Sequence, residues 1–248
     1  SSSSLDHEPS VCQRRWTPEL AASTSSIAEV FAGYRVLVGE IDPRGVVRVA
    51  VDWPALAAAK RPVTLVLRIP GAAPDIDAAA AAGLLIDAHA AAVAAGATVT
   101  GIEIDHDCAR SRLPAYADLM RDLRGRVDAP LAWSITALPD WLHSAALIDV
   151  LAGVDASVLQ VHAVTKPGDG LFDAAQALRW IRDYARVTPK PFRVALPAYA
   201  TRVTQGGDGR ILAIDSDAAT MPVFDETARE LAPDPRRVAV VLGRLREA

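Results

Sequence analysis

Several residue classes are scarce in this chain of 248 residues, and each scarcity excludes a class of protein. The two cysteines, Cys12 and Cys108, provide neither a disulfide framework nor the ligand spacing of a structural zinc site. No apolar run approaches the roughly 20 residues that a helix needs to cross a bilayer. The net charge of −4 lacks the positive excess that nucleic acids attract. We therefore expect no membrane span and no nucleic-acid partner.

The chain does have enough length and apolar content for one large domain with a buried core. Apolar residues make up 51% of the sequence. We predict a flexible N-terminal tail over residues 1–9, which opens on four serines, and a single domain over residues 10–248. No signal peptide is recognisable at this start, which is compatible with a processed or trimmed end.

Short β-type runs alternate with helical runs along the chain, and this alternation predicts the fold class. Helix signals include caps at Thr17, Asp52 and Asp77 and a stop at Gly96. Eight strands interleaved with helices over about 250 residues are typical of a (β/α)8 TIM-like barrel, an α/β fold. The predicted strands are 10–16, 35–41, 63–69, 100–107, 130–136, 157–162, 192–196 and 238–242, and the predicted helices include 52–60, 77–96, 113–123, 141–151 and 172–187.

Two further runs bear on the barrel assignment. The segment 201–217 has turn residues at Gln205–Gly209 between strand-like flanks, which predicts a β-hairpin inserted after strand seven. A doubly wound open sheet is the rival fold, but it requires a glycine-rich phosphate turn after the first strand. The run Cys12–Trp16 shows no such turn, so the barrel is favoured.

The strand ending at Asp107 carries a carboxylate at every second position, namely Glu103, Asp105 and Asp107. Successive side chains of a strand point to opposite faces, so these three acids share one face. Three like charges on a buried strand require partners. We therefore expect one face of this strand to lie under helices and the other to open into a polar site.

At the carboxyl ends of six predicted strands, polar residues recur at every second position, so they share one face of each strand. The active sites of TIM barrels form at these ends. Their alternates are mostly apolar or small, so we expect the polar set to converge on one mouth. An alternative remains open, in which Arg15 and Arg68 only neutralise buried acids. The converging set is Gln13 and Arg15, Glu40, Arg68, Asp105 and Asp107, Ser134 and Thr136, and Gln160 and His162.

The segment Gly101–Asp107 resembles the fourth-strand motif of family-18 chitinases, which reads Asp-Gly-Ile-Asp-Ile-Asp-Tyr-Glu or close to it. In that register the resemblance implies that Asp107 is the general acid and Asp105 the aspartate that orients it. Glu103 falls on the acid deeper in the barrel, and Thr100 replaces the first aspartate of the motif.

Over roughly residues 10–245 the chain also resembles a bacterial barrel family of unknown function, family 3142. This resemblance implies the barrel fold and a glycosidase-like site. Together with the serine-rich start it favours a periplasmic or cell-envelope location, with the cytoplasm as the alternative. The segments that carry it are Gln13–Trp16, Gly101–Asp107, Leu113–Tyr116, Ser134–Leu142 and Gln160–His162.

The sequence departs from the chitinase pattern on the sixth strand. Chitinases hold the acetamido group of the substrate there with a tyrosine and an aspartate, whereas this chain reads Gln160-Val161-His162-Ala163. The acid at Asp107 is also one methylene shorter than the glutamate of the motif. Substrate-assisted chemistry on an N-acetyl sugar is therefore disfavoured.

We hypothesise a glycoside hydrolase in which Asp107 is the general acid, with its pKa raised by the like charge of Asp105. Glu40 is the candidate second carboxylate; a separation of about 5 Å implies retention of configuration, and about 6.5–9.5 Å implies inversion. Trp16, Trp141 and Tyr199 are candidates for stacking on a sugar ring, and ordinary packing at the rim of the barrel is the alternative. The candidate substrate-binding residues are Gln13, Arg15, Trp16, Arg68, Glu103, Thr136, Trp141, Gln160, His162 and Tyr199.

Two other functions remain open. A non-catalytic barrel could bind an oligo- or polysaccharide through the same carboxylates, and a divalent ion on Glu40, Asp105 and Asp107 could serve a hydrolase. The first strand lacks the His-x-His pair of barrel metal hydrolases, and the chain has no Gly-x-Ser-x-Gly elbow for acyl transfer. We expect no cofactor, and the sequence does not indicate an oligomeric state.

Overall fold

The computed structural model describes residues 8–11, 16–17, 31–42, 45–73, 76–161 and 173–196, and the backbone alone of 201–205, 211–215 and 228–231. Gln13, Arg15, His162 and Tyr199 lie outside the described residues, as do the helix predicted after Thr17 and the eighth predicted strand. The chain divides into two compact units: Ser1–Val158 with Lys190–Phe192, and Leu159–Pro189 with Arg193–Ala248.

The first unit contains a parallel sheet. Its order from β1 through β2, β4 and β5 to β6 is hydrogen-bonded in parallel throughout, and β3 pairs with β2 in the antiparallel sense. The next strand, β7, lies beside β6: the amide of Asp155, just before β7, donates a hydrogen bond to the carbonyl of Trp133 in β6 at 2.8 Å. The bounds are β1 Ser10–Val11, β2 Tyr34–Asp42, β3 Gly45–Arg48, β4 Val63–Ile69, β5 Val99–His106, β6 Ala132–Ala137 and β7 Ala156–Gln160.

Among the described residues of the first unit, four α-helices follow strands of the sheet. The bounds are α1 Trp53–Ala59, α2 Ala78–Ala94, α3 Leu113–Arg126 and α4 Leu147–Ala152, and short 3-10 helices cover Arg110–Arg112 and Pro139–His143. The capping predictions are confirmed for α1, where the Asp52 carboxylate accepts from the Ala55 amide at 3.0 Å. They are also confirmed for α2, where Asp77 accepts from the Ala79 and Ala80 amides. Gly96, with a φ of +84°, follows the end of α2.

The single helix predicted over 141–151 is wrong. The segment instead forms the 3-10 helix Pro139–His143 and then α4, which begins at Leu147. Ser144 has extended dihedral angles between the two, and its amide donates to the Trp141 carbonyl at 2.9 Å in the three-residue spacing of a 3-10 turn. The sequence of the run does not reveal this interruption, because each piece buries apolar side chains: Trp141 in the first, and Leu147, Val150 and Leu151 in the second.

Apolar residues fill the space between the sheet and its helices. Most of β2 is buried, as expected for a parallel strand covered on both faces. Leu67 of β4, Ile104 of β5 and Met120 of α3 are wholly buried, and each such side chain contributes about 1.5–3 kcal/mol through removal from water. This core holds β4 and β5 in a fixed register, on which the polar site depends.

The second unit contains the end of β7, α5 at Ala174–Val187 and most of β8 at Phe192–Ala195. Asp173 caps α5 by accepting from the Ala175 and Gln176 amides, so the helix begins two residues later than predicted. A three-stranded antiparallel sheet has the order β10-β9-β11. Its bounds are β9 Thr201–Gln205, β10 Ile211–Asp215 and β11 Ala228–Leu231.

The α/β class of the fold is as predicted, with seven strands in the hydrogen-bonded order β1-β2-β4-β5-β6-β7-β8. Closure of this sheet into a complete barrel stays a prediction. The two strand-like runs predicted on either side of Gln205–Gly209 pair in the antiparallel sense as β9 and β10. Their placement as an insertion after a seventh barrel strand also stays a prediction.

Candidate active site

Three charged residues lie side by side at the carboxyl ends of neighbouring strands. Glu40 of β2 is in register with Arg68 of β4, and Arg68 is in register with Asp105 of β5. The Arg68 guanidinium donates through Nε to Asp105 Oδ2 at 3.1 Å and through Nη1 to Glu40 Oε1 at 3.5 Å. The structure thus brings together three of the residues that the sequence predicts for the site.

Arg68 links two carboxylates that are nearly buried. The side chains of Asp105 and Glu40 are 13% and 10% exposed, against 32% for Arg68. A fully exposed ion pair contributes about 0–1 kcal/mol, whereas removal of one partner from a buried pair costs about 3–5 kcal/mol. Loss of Arg68 would leave two nearly buried negative charges without this cation.

One oxygen of Asp105 lacks a hydrogen-bond donor within the described part of the chain. Its Oδ1 atom is buried, while Oδ2 accepts from Arg68. Buried carboxylate oxygens are normally hydrogen-bonded, and an unmade bond costs about 1–3 kcal/mol. Oδ1 is therefore an acceptor available to the hydroxyl of a ligand, a water molecule or a neighbouring protonated acid.

Asp107 lies just beyond the end of β5, at the centre of a tight turn. The Cys108 amide donates to the His106 carbonyl at 2.9 Å, which closes a three-residue turn around Asp107. The residue is exposed at the surface, but protein on its other sides replaces part of its hydration. Together, this burial and the charge of Asp105 raise the pKa of Asp107 to about 6, although the charge of Arg68 opposes the rise.

Glu103 lies deeper on the same face of β5. It is buried and forms an ion pair with Arg35, whose Nε also lies 3.0 Å from Glu8. The hydroxyls of Ser134 and Thr136 donate to its two carboxylate oxygens, each at 3.5 Å. The pKa of Glu103 is raised to about 7, with burial as the largest cause. The charges of Asp105 and Glu8 also raise this pKa, and Arg35 lowers it.

Sequence reasoning missed Arg35 because of an irregularity in β2. The pairing of β2 with β4 shifts between Leu37 and Gly39, so Val38 is an extra residue in the strand. A bulge of this kind reverses the alternation, so Arg35 and Glu40 share a face although their numbers differ by five. Arg35 contacts Glu103 of β5, and Glu40 contacts Arg68, the partner of Asp105. Strict parity counting places them on opposite faces.

Three aromatic side chains, those of His106, Tyr116 and Trp141, pack on the face of β5 opposite to its acids. His106 Nδ1 donates to the Ile69 carbonyl at 3.0 Å, and burial lowers the pKa of the imidazole. The Tyr116 hydroxyl donates to the Ile104 carbonyl at 3.0 Å. The ring of Tyr116 meets His106 edge-on at 4.9 Å and Trp141 at 5.9 Å between centroids.

The indole of Trp141 is wholly buried and donates through Nε1 to the Cys108 carbonyl at 2.9 Å. A ring without an exposed face cannot stack on a sugar, so the expectation of a platform at Trp141 is corrected. Its hydrogen bond instead fixes the backbone just after Asp107. Tyr116 does the same before Asp105, so the acidic segment is anchored at both ends.

The remaining predicted residues are placed as follows. Trp16 is partly exposed, and its Nε1 is buried without a hydrogen-bond partner among the described residues. Thr136 is buried beside Glu103. Gln160 is half-buried at the end of β7, in the second unit.

The residues the structure describes include no group of three His, Cys, Asp or Glu side chains arranged to hold a metal ion. Glu40, Asp105 and Asp107, the candidate ligands of a divalent ion, therefore do not form such a group. The guanidinium of Arg68 already supplies a positive charge to Glu40 and Asp105. No helix among the described residues is long and apolar enough to cross a membrane.

A shallow groove of about 350 Å³ opens on the helix side of β5. Its lining includes His106, Tyr116, Arg112, Asp118 and Asp122. His106 alternates with Asp105 and Asp107 along the chain, so the groove and the acids belong to opposite faces of this strand.

Solved structures with a similar fold include two spore cortex-lytic enzymes and a GH18 chitinase. The spore cortex-lytic enzyme SleL of Bacillus cereus has a TM-score of 0.64 and 14% sequence identity, over 97% of this chain and 67% of that one. SleL of Bacillus megaterium has a TM-score of 0.60 and 11% identity, over 95% and 56%. A GH18 chitinase from Pseudoalteromonas aurantia has a TM-score of 0.50 and 13% identity, over 82% and 81%.

This chain thus spans about two thirds or less of the length of the two SleL structures. At such low identity the likeness shows a shared fold, and it does not transfer an activity. No curated protein matches the chain in sequence.

The family is shown by sequence. The model of a domain of unknown function, DUF3142, matches residues 59–248, which include β4, β5 and both acids at the end of β5. This match confirms the resemblance inferred from the motifs. The chain belongs to the DUF3142 family.

Proposed function

We propose that this protein is a glycoside hydrolase acting on a polysaccharide, with Asp107 as its general acid. The observation that carries the proposal is the pKa of Asp107, which burial and the charge of Asp105 raise to about 6. An ordinary aspartate, with a pKa near 3.9, is less than about 1% protonated at pH 6, whereas Asp107 would be about half protonated. A general acid needs that proton at the working pH.

The chemistry follows from the neighbours of Asp107. Cleavage of a glycosidic bond requires a proton for the departing oxygen, and Asp107 supplies it from the carboxyl end of β5. Arg68 contacts the Asp105 carboxylate at 3.1 Å, and the negative charge of Asp105 favours the protonated form of Asp107. The unpartnered Oδ1 of Asp105 can accept a hydrogen bond from the substrate or from the acid itself.

Glu40 is the candidate for the second carboxylate. It is buried on β2, the strand next to β4, and contacts the same guanidinium as Asp105. The anomeric configuration of the first product tests its role. Retention would indicate a nucleophile about 5 Å from the acid, and inversion would indicate a base at about 6.5–9.5 Å.

The test is depolymerisation of a panel of glycans by the wild type and by Asp107→Asn, measured as new reducing ends. We expect Asp107→Asn to lower turnover by about 100-fold or more, the usual contribution of a general acid. Asp128→Asn, at an exposed aspartate outside the site, is the matched control and should retain full activity. Undiminished turnover in Asp107→Asn would remove Asp107 from the acid role.

A non-catalytic carbohydrate-binding barrel is the second candidate. It is favoured by the sequence Gln160-Val161-His162-Ala163, which lacks the sixth-strand aspartate of the chitinase pattern. Carboxylates such as Asp105 and Glu40 would then accept hydrogen bonds from sugar hydroxyls without bond cleavage. A ligand from the panel that binds the wild type but yields no products at any pH from 4 to 8 would favour this function.

A further inference from the structure

We propose that Gly71 is a positioning residue for Asp107: the absence of a side chain at position 71 allows the loop after β4 to lie directly against the backbone carbonyl of Asp107. The inference rests on the proposed role of Asp107 in the site. It concerns the start of the loop after β4, residues 70–73, whose side chains are uncharged.

The contact between the two loops is close. A Cβ atom at residue 71 would lie 2.0 Å from the carbonyl oxygen of Asp107 and 2.9 Å from its carbonyl carbon. Non-bonded heavy atoms attract best at about 3.5–4.0 Å, so the first distance is deep in the repulsive range. The obstacle is backbone, and no change of rotamer can relieve it.

The requirement at Gly71 is for space and not for an unusual backbone conformation. The described glycines with positive φ are Gly45 and Gly96, and Gly71 is not one of them. An alanine could therefore adopt the backbone angles of Gly71. What it could not do is share the volume that the Asp107 carbonyl occupies.

Both sides of this contact are held in place. On one side, Pro70 restricts the backbone just before Gly71, and the Ala73 amide donates to the Pro70 carbonyl at 3.0 Å. On the other, Trp141 donates to the Cys108 carbonyl, and the Cys108 amide donates to His106. A methyl group at residue 71 must displace one of these segments by about 1.5–2 Å to restore normal separation.

Displacement of the Asp107 segment would alter the environment of its carboxyl group. The raised pKa depends on partial burial and on proximity to Asp105, and both change when the turn moves. A shift of about 1 Å in a catalytic group can also lower turnover by about 100-fold. A glycine that only served chain packing would affect stability and leave the titration of Asp107 unchanged.

The chain offers a matched control at Gly83. This glycine lies within α2, and a Cβ atom there would have no other atom within 4 Å. Gly83→Ala adds the same methyl group to the same unit without a clash. It should leave the Asp107 titration unchanged and maintain or raise the melting temperature, because alanine favours helices more than glycine does.

The experiment is a titration of the Asp107 carboxyl carbon by NMR in the full chain, for the wild type, Gly71→Ala and Gly83→Ala. We expect the Asp107 midpoint in Gly71→Ala to fall by at least one pH unit toward that of an ordinary aspartate, while Gly83→Ala matches the wild type. A folded Gly71→Ala protein with an unchanged midpoint would overturn the inference.

Two further results separate this inference from the proposed function. If wild-type Asp107 titrates near pH 4, the proposed function loses its support, and the positioning role is then judged by whether backbone amide shifts of residues 106–108 move in Gly71→Ala and not in Gly83→Ala. If Gly71→Ala does not fold, Pro70→Ala loosens the same loop without added volume at residue 71. It should shift the midpoint in the same direction by a smaller amount, and an unchanged midpoint would overturn the inference.

Discussion

Arg35 contacts two carboxylates, and the second of them, Glu103, has a raised pKa. The guanidinium contacts Glu8 and Glu103, so one positive charge compensates two negative ones in a buried place. Burial is the largest cause that raises the pKa of Glu103 to about 7; the negative charges of Asp105 and Glu8 add to the rise, and Arg35 opposes it. A buried ion pair of this kind fixes geometry more than it adds stability.

The pH dependence of stability should reveal Glu103. An acid with a raised pKa binds more protons in the folded state than in the unfolded state between the two values, so stability falls as pH rises from about 4.5 to about 7. This loss is on the order of a few kcal/mol. Glu103→Gln removes the titrating group and leaves Arg35 paired with Glu8.

Urea unfolding at pH 5 and pH 8 measures this difference. We expect the wild type to lose more unfolding free energy than Glu103→Gln between the two pH values. Asp128→Asn, which changes an exposed aspartate, should behave as the wild type. Equal losses in the wild type and Glu103→Gln would contradict the raised pKa of Glu103.

The strand β5 shows which parts of the site can be read from sequence. Its regular alternation places Glu103 and Asp105 on one face, and the structure pairs both with cations on that face. The strand β2 shows the limit, since the extra residue at Val38 reverses parity and conceals Arg35. A bulge has no reliable signature in a single sequence, because it depends on how the neighbouring strand pairs.

The 3-10 segment Pro139–His143 shows a second limit. The sequence predicted a helix over 141–151 and a candidate stacking platform at Trp141, just past the fifth strand. Trp141 is instead wholly buried against Tyr116 and hydrogen-bonded to the Cys108 carbonyl. Whether an aromatic side chain faces a ligand or a core depends on the path of the chain around it. Local pattern does not contain that information.

A scaffolding role for Trp141 predicts a specific phenotype. Trp141→Phe removes the bond to the Cys108 carbonyl and leaves a small cavity, which together should lower the unfolding free energy by about 1–4 kcal/mol. The Asp107 midpoint should fall as well, because the turn after β5 loses an anchor. A variant of wild-type stability that only weakens glycan binding would instead indicate a stacking platform. Urea unfolding and isothermal titration calorimetry measure the two quantities.

At the scale of the whole molecule, the alternation of strands and helices predicts the α/β class correctly, and the DUF3142 match covers residues 59–248. The TM-score of 0.64 to SleL shows a shared fold, and at 14% identity this likeness does not identify a substrate. Barrel closure stays a prediction, because the eighth predicted strand lies outside the described residues. Function must therefore be argued from the acids of β5 and their partners.

Ligand binding should be visible in the stability of the whole chain. A polysaccharide fragment that binds the folded state at 100 times its Kd adds about 2.7 kcal/mol to the unfolding free energy. We expect Asp107→Asn to show a raised melting temperature with the same fragment that the wild type cleaves, because the variant retains Arg68, Asp105 and Glu40. Absence of any shift across the glycan panel would contradict a carbohydrate ligand for this site.

The most direct test of the central claim is the titration of the Asp107 carboxyl carbon by NMR in the wild-type chain, with Asp107→Asn providing the assignment. The account predicts a midpoint near pH 6, because partial burial and the charge of Asp105 outweigh the opposing charge of Arg68. A midpoint near pH 4, that of an ordinary aspartate, would contradict it.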